Sequence, residues 1–223
     1  GGVAYLNSFT WNSDTPCFVF TAQLGSGNEK YTAEAISHEA GHTLGLSHDG
    51  ATDGTAYYQG HGNWAPIMGV GYYKDIVQWS KGEYPLANNT QDDLAIIASY
   101  VGYSNDDHGN PLATATPLTG ASFQVAGVIE RTDDVDVFSF NTGAGIVTLN
   151  LDCASRSPNL DALLSLFDGF GNLITAANGT GMGAAISMNL AAGTYYVSVD
   201  GVGTGDPATG YSEYASLGRY TLT

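Results

Sequence analysis

The sequence predicts two domains of different class, an α+β domain over residues 1–104 and an all-β antiparallel sandwich over residues 118–223. Helix-length segments with apolar residues every three or four positions occur before residue 104. After residue 117 the chain consists of short runs rich in β-branched and aromatic residues, separated by Gly, Asn and Asp. Between these parts, residues 105–117 are polar, contain Pro111 and Pro117, and are predicted to form a linker.

The first half contains two strand patterns and two helix patterns. The segments "GVAYLNSF" and "CFVF" predict short strands. A helix is predicted from about residue 31 to residue 44, and Gly45 should stop it because glycine adopts the left-handed conformation without penalty. A second helix is predicted in "TQDDLAIIASYV", with Thr90 and Asp93 as its capping pair. The apolar face of the first helix is predicted to carry Ala33, Ile36, Ala40 and Leu44.

The second half predicts an antiparallel sandwich of about eight strands. Its strand-length segments recur at a roughly regular spacing, and "DGFGN" predicts a hairpin turn between two of them. The segments are "VDVFSF", "GIVTLNL", "ALLSLFD", "AAISMNL", "GTYYVSVDG" and "GRYTLT".

Composition and charge narrow the function classes. The formal net charge is −16 and the chain has only six Lys and Arg residues, so nucleic acid and anionic membranes are poor partners. No apolar run is long enough to span a bilayer, and the first residues lack the regions of a signal peptide, which predicts a soluble, processed or truncated product. The two cysteines, Cys17 and Cys153, either form one long-range disulfide or remain thiols, and unpaired thiols are slightly favoured. The oligomeric state is not predicted.

The segment "HEAGHTLGLSHD" has the spacing of a zinc site. On a helix, His38 and His42 project from one face about one turn apart, so both imidazoles can bind the same ion. Gly45 then lets the chain turn back, so that His48 can supply a third nitrogen. Three protein ligands leave one coordination position open, which is typical of a catalytic rather than a structural zinc. Glu39 is placed to face a metal-bound water without being a ligand.

This arrangement predicts peptide bond hydrolysis. Zinc lowers the pKa of its bound water to roughly 7 and polarises the substrate carbonyl. We expect Glu39 to act as the general base that accepts the water proton and later passes it to the leaving amine.

The pattern HExxHxxGxxH resembles the metzincin clan of zinc endopeptidases, and Asp49 resembles the ending found in its adamalysin (reprolysin) branch. Met68, in "APIMGVGYY", is similar to the clan's methionine turn beneath the metal. The segments "GGVAYLNSF" and "TQDDLAIIASYV" look like the clan's edge strand and C-terminal helix. In two respects the chain departs from the clan. Val70 stands where some members have a zinc-binding tyrosine, and the sheet and helix that precede the clan's edge strand are absent, which predicts an N-terminally incomplete domain.

The resemblance also implies substrate-binding and supporting residues. The edge strand near Tyr5, Leu6 and Asn7 would hold the substrate backbone by β-augmentation. The segment from Gly69 to Tyr73 would help to form the pocket for the side chain after the cleaved bond. Asp49 either steadies the third ligand or is an ordinary turn aspartate. The implied substrate-binding residues are therefore Tyr5, Leu6, Asn7, Gly69, Val70 and Tyr72.

The second half resembles the bacterial pre-peptidase C-terminal domain, a β-sandwich found on secreted peptidases. The segments that carry this resemblance are "DDVDVFSFNTGAG", "NLDALLSLFDGFGNLI", "LAAGTYYVSVDG" and "GRYTLT". Together the two resemblances imply a secreted bacterial zinc endopeptidase with a protein or peptide substrate. The alternative function is a binding module that carries an inactive protease remnant.

Two further sets of residues have alternative interpretations. The acidic residues Asp106, Asp107, Asp133, Asp134 and Asp136 either bind Ca²⁺ through carboxylate oxygens or form a solvated acidic face, and the solvated face is favoured because no complete calcium loop is present. His61 and His108 each lie in a Gly-containing loop and are predicted to be surface residues.

Overall fold

The structure is a computed structural model that describes all 223 residues. The chain separates into two compact units: the first comprises Gly1–Tyr103 and Thr204–Ser212, and the second Ser104–Gly203 and Glu213–Thr223. The boundary after residue 103 lies within two residues of the start of the predicted linker. Residues 105–117 belong to the second unit, in which they form a 3-10 turn and a short strand.

The first unit has short strands and two helices. The elements are β1 Gly2–Val3, β2 Phe18–Val19, α1 Glu29–Thr43, β3 Trp64–Pro66, β4 Ile76–Gln78 and α2 Asp93–Val101. Strands β1 and β2 pair antiparallel, with Gly2 opposite Val19, whereas β3 and β4 pair in parallel. Neither helix combines the length and the apolar character needed to cross a bilayer.

Helix α1 begins earlier than the sequence predicts, and its predicted apolar face is wrong. The side chain of Asn28 caps it by accepting a hydrogen bond from the backbone N–H of Tyr31 at 3.1 Å. Ile36 is 52% exposed, whereas Glu39 and two small residues are buried. The buried face of α1 therefore consists of Glu39 and two small residues, which a hydrophobic pattern does not detect. The buried residues of α1 are Ala35, Glu39 and Gly41.

Helix α2 is capped by Asp92 instead of the predicted pair, Thr90 and Asp93. The Asp92 carboxylate accepts a hydrogen bond from the backbone N–H of Ala95 at 2.9 Å. Asp93 is fully buried and accepts a hydrogen bond from the backbone N–H of Ser80 at 3.0 Å. Burial raises the pKa of Asp93 to about 8. Asp93 therefore joins α2 to the preceding loop.

The second unit is a β-sandwich of nine strands. The strands are β5 Thr116–Pro117, β6 Val125–Ile129, β7 Val135–Thr142, β8 Gly145–Cys153, β9 Ala162–Phe167, β10 Leu173–Asn178, β11 Ala184–Leu190, β12 Gly193–Gly201 and β13 Gly218–Leu222. One sheet has the order β10-β9-β12-β7-β5 and the other the order β11-β8-β13-β6, and all neighbours are antiparallel except β5 and β7. The two-residue edge strand β5 accounts for the difference from the predicted count of about eight.

The core of the sandwich lies between its two sheets. Alternating residues of each strand face inward, so apolar side chains from both sheets pack together. The predicted "DGFGN" turn joins β9 to β10, where the Asp168 carboxylate accepts hydrogen bonds from the backbone N–H groups of Phe170 and Asn172, each at 2.9 Å. The most deeply buried core residues are Phe138, Leu149, Ala162, Leu164, Leu166, Val197, Val199 and Leu222.

Both cysteines are free thiols. Cys17 belongs to the first unit and Cys153 to the second. The Cys153 thiol donates a hydrogen bond to the carbonyl of Met182 at 3.1 Å, and burial raises its pKa to about 11. It is therefore an inert, protonated thiol at neutral pH.

Candidate metal and active site

The three histidines predicted as zinc ligands come together in the first unit. One nitrogen from each of His38, His42 and His48 lies within 4.8 Å of the other two. The Nε2 atoms of His42 and His48 are 2.9 Å apart. The ring centroid of His38 is 4.7 Å from that of His42 and 5.3 Å from that of His48. This is the cluster that the spacing in the sequence predicts.

The C-terminal turn of α1 explains how His48 reaches the other two. Gly45 has a φ of 97°, and its backbone N–H donates to the carbonyl of His42 at 3.0 Å. The N–H of Leu46 donates to the carbonyl of Gly41 at 3.0 Å, as in a Schellman motif, and the Leu46 side chain is fully buried. The chain therefore reverses direction immediately after the helix and returns along it.

Backbone carbonyls fix the orientation of two of the imidazoles. His38 Nδ1 lies 2.8 Å from the carbonyl oxygen of Ile67, and His42 Nδ1 lies 2.7 Å from that of Leu46. Because a carbonyl only accepts, each Nδ1 carries the proton and donates it, which leaves the Nε2 lone pair free for a metal. The donor set and its supporting hydrogen bonds therefore fit a zinc ion.

Burial keeps the imidazoles of His38 and His48 uncharged at physiological pH. Burial lowers the pKa of His38 to about 4, despite the opposing effect of its hydrogen bond to Ile67. Burial also lowers the pKa of His48, and the neighbouring His42 adds to this effect. Neutral imidazole is the form that binds metals. The site is consequently ready to accept a cation without first losing protons from these two rings.

Glu39 lies beside the histidines, in a cavity of about 400 Å³ that all three of them line. Its side chain is buried, and burial raises its pKa. The side chain also lies against β1: a Cβ atom added to Gly2 would be 2.5 Å from Glu39 Cγ and 2.7 Å from Oε1. Gly2 therefore leaves the space that Glu39 occupies.

Replacing Gly2 with Ala is expected to displace Glu39. The new methyl group would also lie 2.6 Å from the carbonyl oxygen of Phe18, so the backbone offers no free space on that side. We expect the rate of any reaction in which Glu39 takes part to fall by roughly tenfold or more, since about 1 Å of misplacement can cost about 100-fold. Gly1→Ala is the matched control because a Cβ there meets nothing within 4 Å. Equal activity of the two variants would show that Glu39 does not depend on Gly2.

Met68 is fully buried under α1. A Cβ atom added to Gly41 would lie 2.7 Å from the Met68 sulfur, so the helix and the methionine are in direct contact only because residue 41 is glycine. The carbonyl of Met68 accepts a hydrogen bond from the backbone N–H of Asp49 at 2.8 Å. Met68 thus supports both the helix and the segment that carries His48.

Asp49 is a buried residue that connects three parts of the site. Its backbone carbonyl accepts from the N–H of Tyr58 at 2.7 Å, and its carboxylate accepts from the Asn89 side chain at 3.0 Å. Burial raises its pKa to about 7. These contacts anchor the backbone next to His48, and the role of Asp49 in steadying the third ligand stays a prediction.

Only half of the predicted substrate-binding residues line the cavity. Gly69, Val70 and Tyr72 do so. Tyr5, Leu6 and Asn7 do not, since β1 ends at Val3 and the chain then turns, with Asn7 in the left-handed conformation. The cavity is lined instead by the residues before that turn, Gly1, Gly2, Val3 and Ala4.

Tyr57 is a cavity residue that sequence reasoning missed. Its ring centroid lies 4.3 Å from that of His48. It is nine residues beyond His48, in a loop without any periodic pattern, so no local signal in the sequence could have identified it.

His61 and His108 are half-buried and hydrogen-bonded, so their prediction as plain surface residues is wrong. His61 contacts the Tyr58 hydroxyl at 2.8 Å and the carbonyl of Gly210, in the same unit, at 2.7 Å. His108 contacts the Thr116 hydroxyl at 3.0 Å. Neither residue belongs to the histidine cluster.

A second group of possible metal ligands lies in the sandwich unit. One carboxylate oxygen from each of Asp106, Asp134 and Asp136 lies within 4.8 Å of the other two. Asp136 is fully buried: one of its oxygens accepts a hydrogen bond from the Tyr220 hydroxyl at 2.5 Å, whereas Oδ1 has no partner. Burial raises the pKa of Asp136 to about 8. Asp133 is outside this cluster, and Asp107 accepts from the N–H of Val128 at 3.4 Å.

Comparisons with known proteins identify the second unit. Residues 134–201 match the family described as bacterial pre-peptidase C-terminal domain, so the chain contains this domain, as predicted. One similar solved structure is the pre-peptidase C-terminal domain of a collagenase from Bacillus anthracis, at 18% identity and a TM-score of 0.38, over 54% of this chain and 98% of that one. Another is PliG from Aeromonas hydrophila, a periplasmic inhibitor of g-type lysozyme, at 19% identity and a TM-score of 0.33, over 48% and 91% of the two chains. A search of curated proteins found no significant match.

Proposed function

We propose that this chain, which carries a bacterial pre-peptidase C-terminal domain, is a secreted zinc-dependent endopeptidase of the metzincin type. The observation that carries the proposal is the convergence of three histidine rings beside Glu39, with two of the rings oriented by backbone carbonyls. Structural zinc sites are usually closed by a fourth protein ligand. Here the three histidines share an open cavity with a carboxylate, which supports a catalytic role.

Each residue of the site has a defined role in the proposed reaction. His38, His42 and His48 would hold the zinc ion through nitrogen atoms. A bound zinc ion supplies a Lewis acid and lowers the pKa of a coordinated water. Glu39 accepts a proton from the attacking water and transfers it to the amine that leaves. Its position in the cavity that the three histidines line suits this exchange.

The proposed substrate is an extended peptide. Strand β1 has a single neighbour, β2, so its other edge can offer backbone groups to a peptide by β-augmentation. The residues of β1 also line the cavity, which would place such a peptide next to Glu39. Gly69, Val70 and Tyr72 would form part of the wall that receives its side chains.

The competing function is a binding module with an inactive protease remnant. The presence of a pre-peptidase C-terminal domain favours neither function over the other, because the family match ends within the sandwich unit. The two functions differ in whether a zinc-loaded chain cleaves peptides.

Zinc content and cleavage test the proposal together. Native and denaturing mass spectra should give one zinc per chain for the wild type, and His48→Ala should retain much less. His61→Ala is the matched control because His61 lies outside the cluster. The zinc-loaded wild type should cleave denatured casein, lose this activity with a chelator and regain it with zinc. A folded wild type without zinc would contradict the site, and a zinc-loaded chain that cleaves nothing would support the binding module.

We also propose that Asp106, Asp134 and Asp136 bind a calcium ion. Calcium prefers carboxylate and other oxygen ligands, and its six to eight positions leave room for backbone and water oxygens. The buried Oδ1 of Asp136, which has no hydrogen-bond partner, supports this proposal because a cation would supply the missing interaction. The burial of Asp134 and Asp136 also disfavours the alternative of a solvated acidic face.

A further inference from the structure

Tyr57 forms an aromatic wall of the cavity. Its ring lies 4.3 Å from the ring of His48 and 6.3 Å from that of His38, as measured between centroids. The side chain is nevertheless 41% exposed, and it lines the same cavity as Glu39. One side of the ring therefore packs against the histidines while the remainder is free to meet a ligand.

The backbone around Tyr57 is held in place without its side chain. The N–H of Tyr58 donates to the carbonyl of Asp49 at 2.7 Å, and the carbonyl of Tyr58 accepts from the N–H of Val70 at 2.9 Å. The Tyr58 ring stacks on Tyr84 with a centroid distance of 4.4 Å. These contacts anchor the loop between the third histidine and the methionine turn. Anchoring the loop therefore does not require an exposed phenol ring at position 57.

The surroundings of Tyr57 define the chemistry of its ligand. Apart from the histidines and Glu39, the cavity is lined by glycines and by apolar or aromatic side chains, without any Lys or Arg. An apolar side chain gains free energy by leaving water for such a surface, and an aromatic wall adds specific contact geometry. The side chains other than Tyr57 that form this surface are Val3, Ala4, Ala35, Val70 and Tyr72.

We propose that Tyr57 is a specificity-determining residue whose ring packs against an apolar side chain of the bound peptide. This inference rests on the proposed peptidase function, because it assumes that the ligand of the cavity is a peptide. It assigns binding to the ring and not to the hydroxyl, so Tyr57→Phe should behave as the wild type does.

The test measures peptide binding separately from cleavage. Zinc-loaded Glu39→Gln protein would be titrated with fluorescein-labelled octapeptides in which Leu or Asn occupies each position in turn. With Tyr57 present, Leu should bind about tenfold more tightly than Asn at one position at least. The preference should persist in Tyr57→Phe and disappear in Tyr57→Ala. Tyr100→Ala is the matched control, because Tyr100 is 39% exposed, against 41% for Tyr57, and does not line the cavity.

The outcomes distinguish this inference from the proposed function. Absence of any Leu preference, or its survival in Tyr57→Ala, would overturn the role of Tyr57 even if the wild type cleaves casein. Loss of zinc from Tyr57→Ala would also overturn it, since the ring would then act by supporting His48. If the Leu preference depends on the Tyr57 ring but the protein cleaves no peptide, the proposed role of Tyr57 is supported and the peptidase function is rejected.

Discussion

Replacing Glu39 with Gln is expected to lower kcat for peptide hydrolysis by about 10²–10⁴-fold, the usual contribution of a general base. Gln has nearly the same shape as Glu, so the close contact with Gly2 is retained while the proton acceptor is lost. The three histidines are unchanged, and one zinc per chain should remain. Steady-state kinetics on a fluorogenic peptide, with zinc measured by mass spectrometry, would report both quantities.

The control for this variant is Glu29→Gln, which changes an exposed carboxylate on the same helix. It should keep wild-type activity and zinc content. Full activity of Glu39→Gln would remove Glu39 from its role as base. Loss of zinc in that variant would instead mean that the carboxylate helps to hold the metal.

Calcium is expected to stabilise the protein against unfolding by about 2.7 kcal/mol when its free concentration is 100 times its Kd. The effect should appear in calorimetry as a higher Tm for the transition of the sandwich unit. Asp136→Asn should abolish the calcium response because it removes a buried ligand. Asp133→Asn, which changes an exposed acid outside the cluster, should retain it. Equal calcium responses of the two variants would contradict the site.

The pKa of Asp136 predicts how pH affects this experiment. Its folded pKa of about 8 lies above its ordinary value of 3.8, so its proton stabilises the folded state fully below about pH 4. This contribution is lost progressively as the pH rises towards 8. Without calcium, Asp136→Asn should therefore be at least as stable as the wild type at pH 8, because the neutral amide resembles the protonated acid. Calcium should reverse this order.

Local spacing made the histidine cluster predictable. A separation of four residues on a helix and a glycine stop determine where His38, His42 and His48 can go, and both features are visible in twelve consecutive residues. The strands of the sandwich were predictable for a similar reason, because alternation within each strand is local. The "DGFGN" turn is an example, since Asp168 forms its own hydrogen bonds within the turn.

Contacts between distant parts of the chain were not predictable. Gly2 and Glu39 meet because β1 lies beside α1, and Tyr57 meets His48 because its loop is tied to Val70. The prediction that Ile36 lies on the buried face of α1 was wrong, because a hydrophobicity pattern does not detect the small residues through which α1 packs. Likewise, the sequence offered five acidic residues as possible calcium ligands, but only the folded structure shows which of them lie close together and that Asp133 does not.

The packing of Met68 under Gly41 has a consequence for oxidative damage. Methionine on a protein surface is readily converted to its sulfoxide, which is polar and larger. Met68 is completely shielded from solvent, and no atom fits between its sulfur and Gly41, because a Cβ added there would lie 2.7 Å from the sulfur. Oxidants would therefore reach this sulfur only when α1 moves away from it, and the resulting sulfoxide would keep the helix from closing again. We therefore expect the arrangement of the three histidines to survive peroxide while the first unit is folded, and to be lost once that unit opens and Met68 is oxidised.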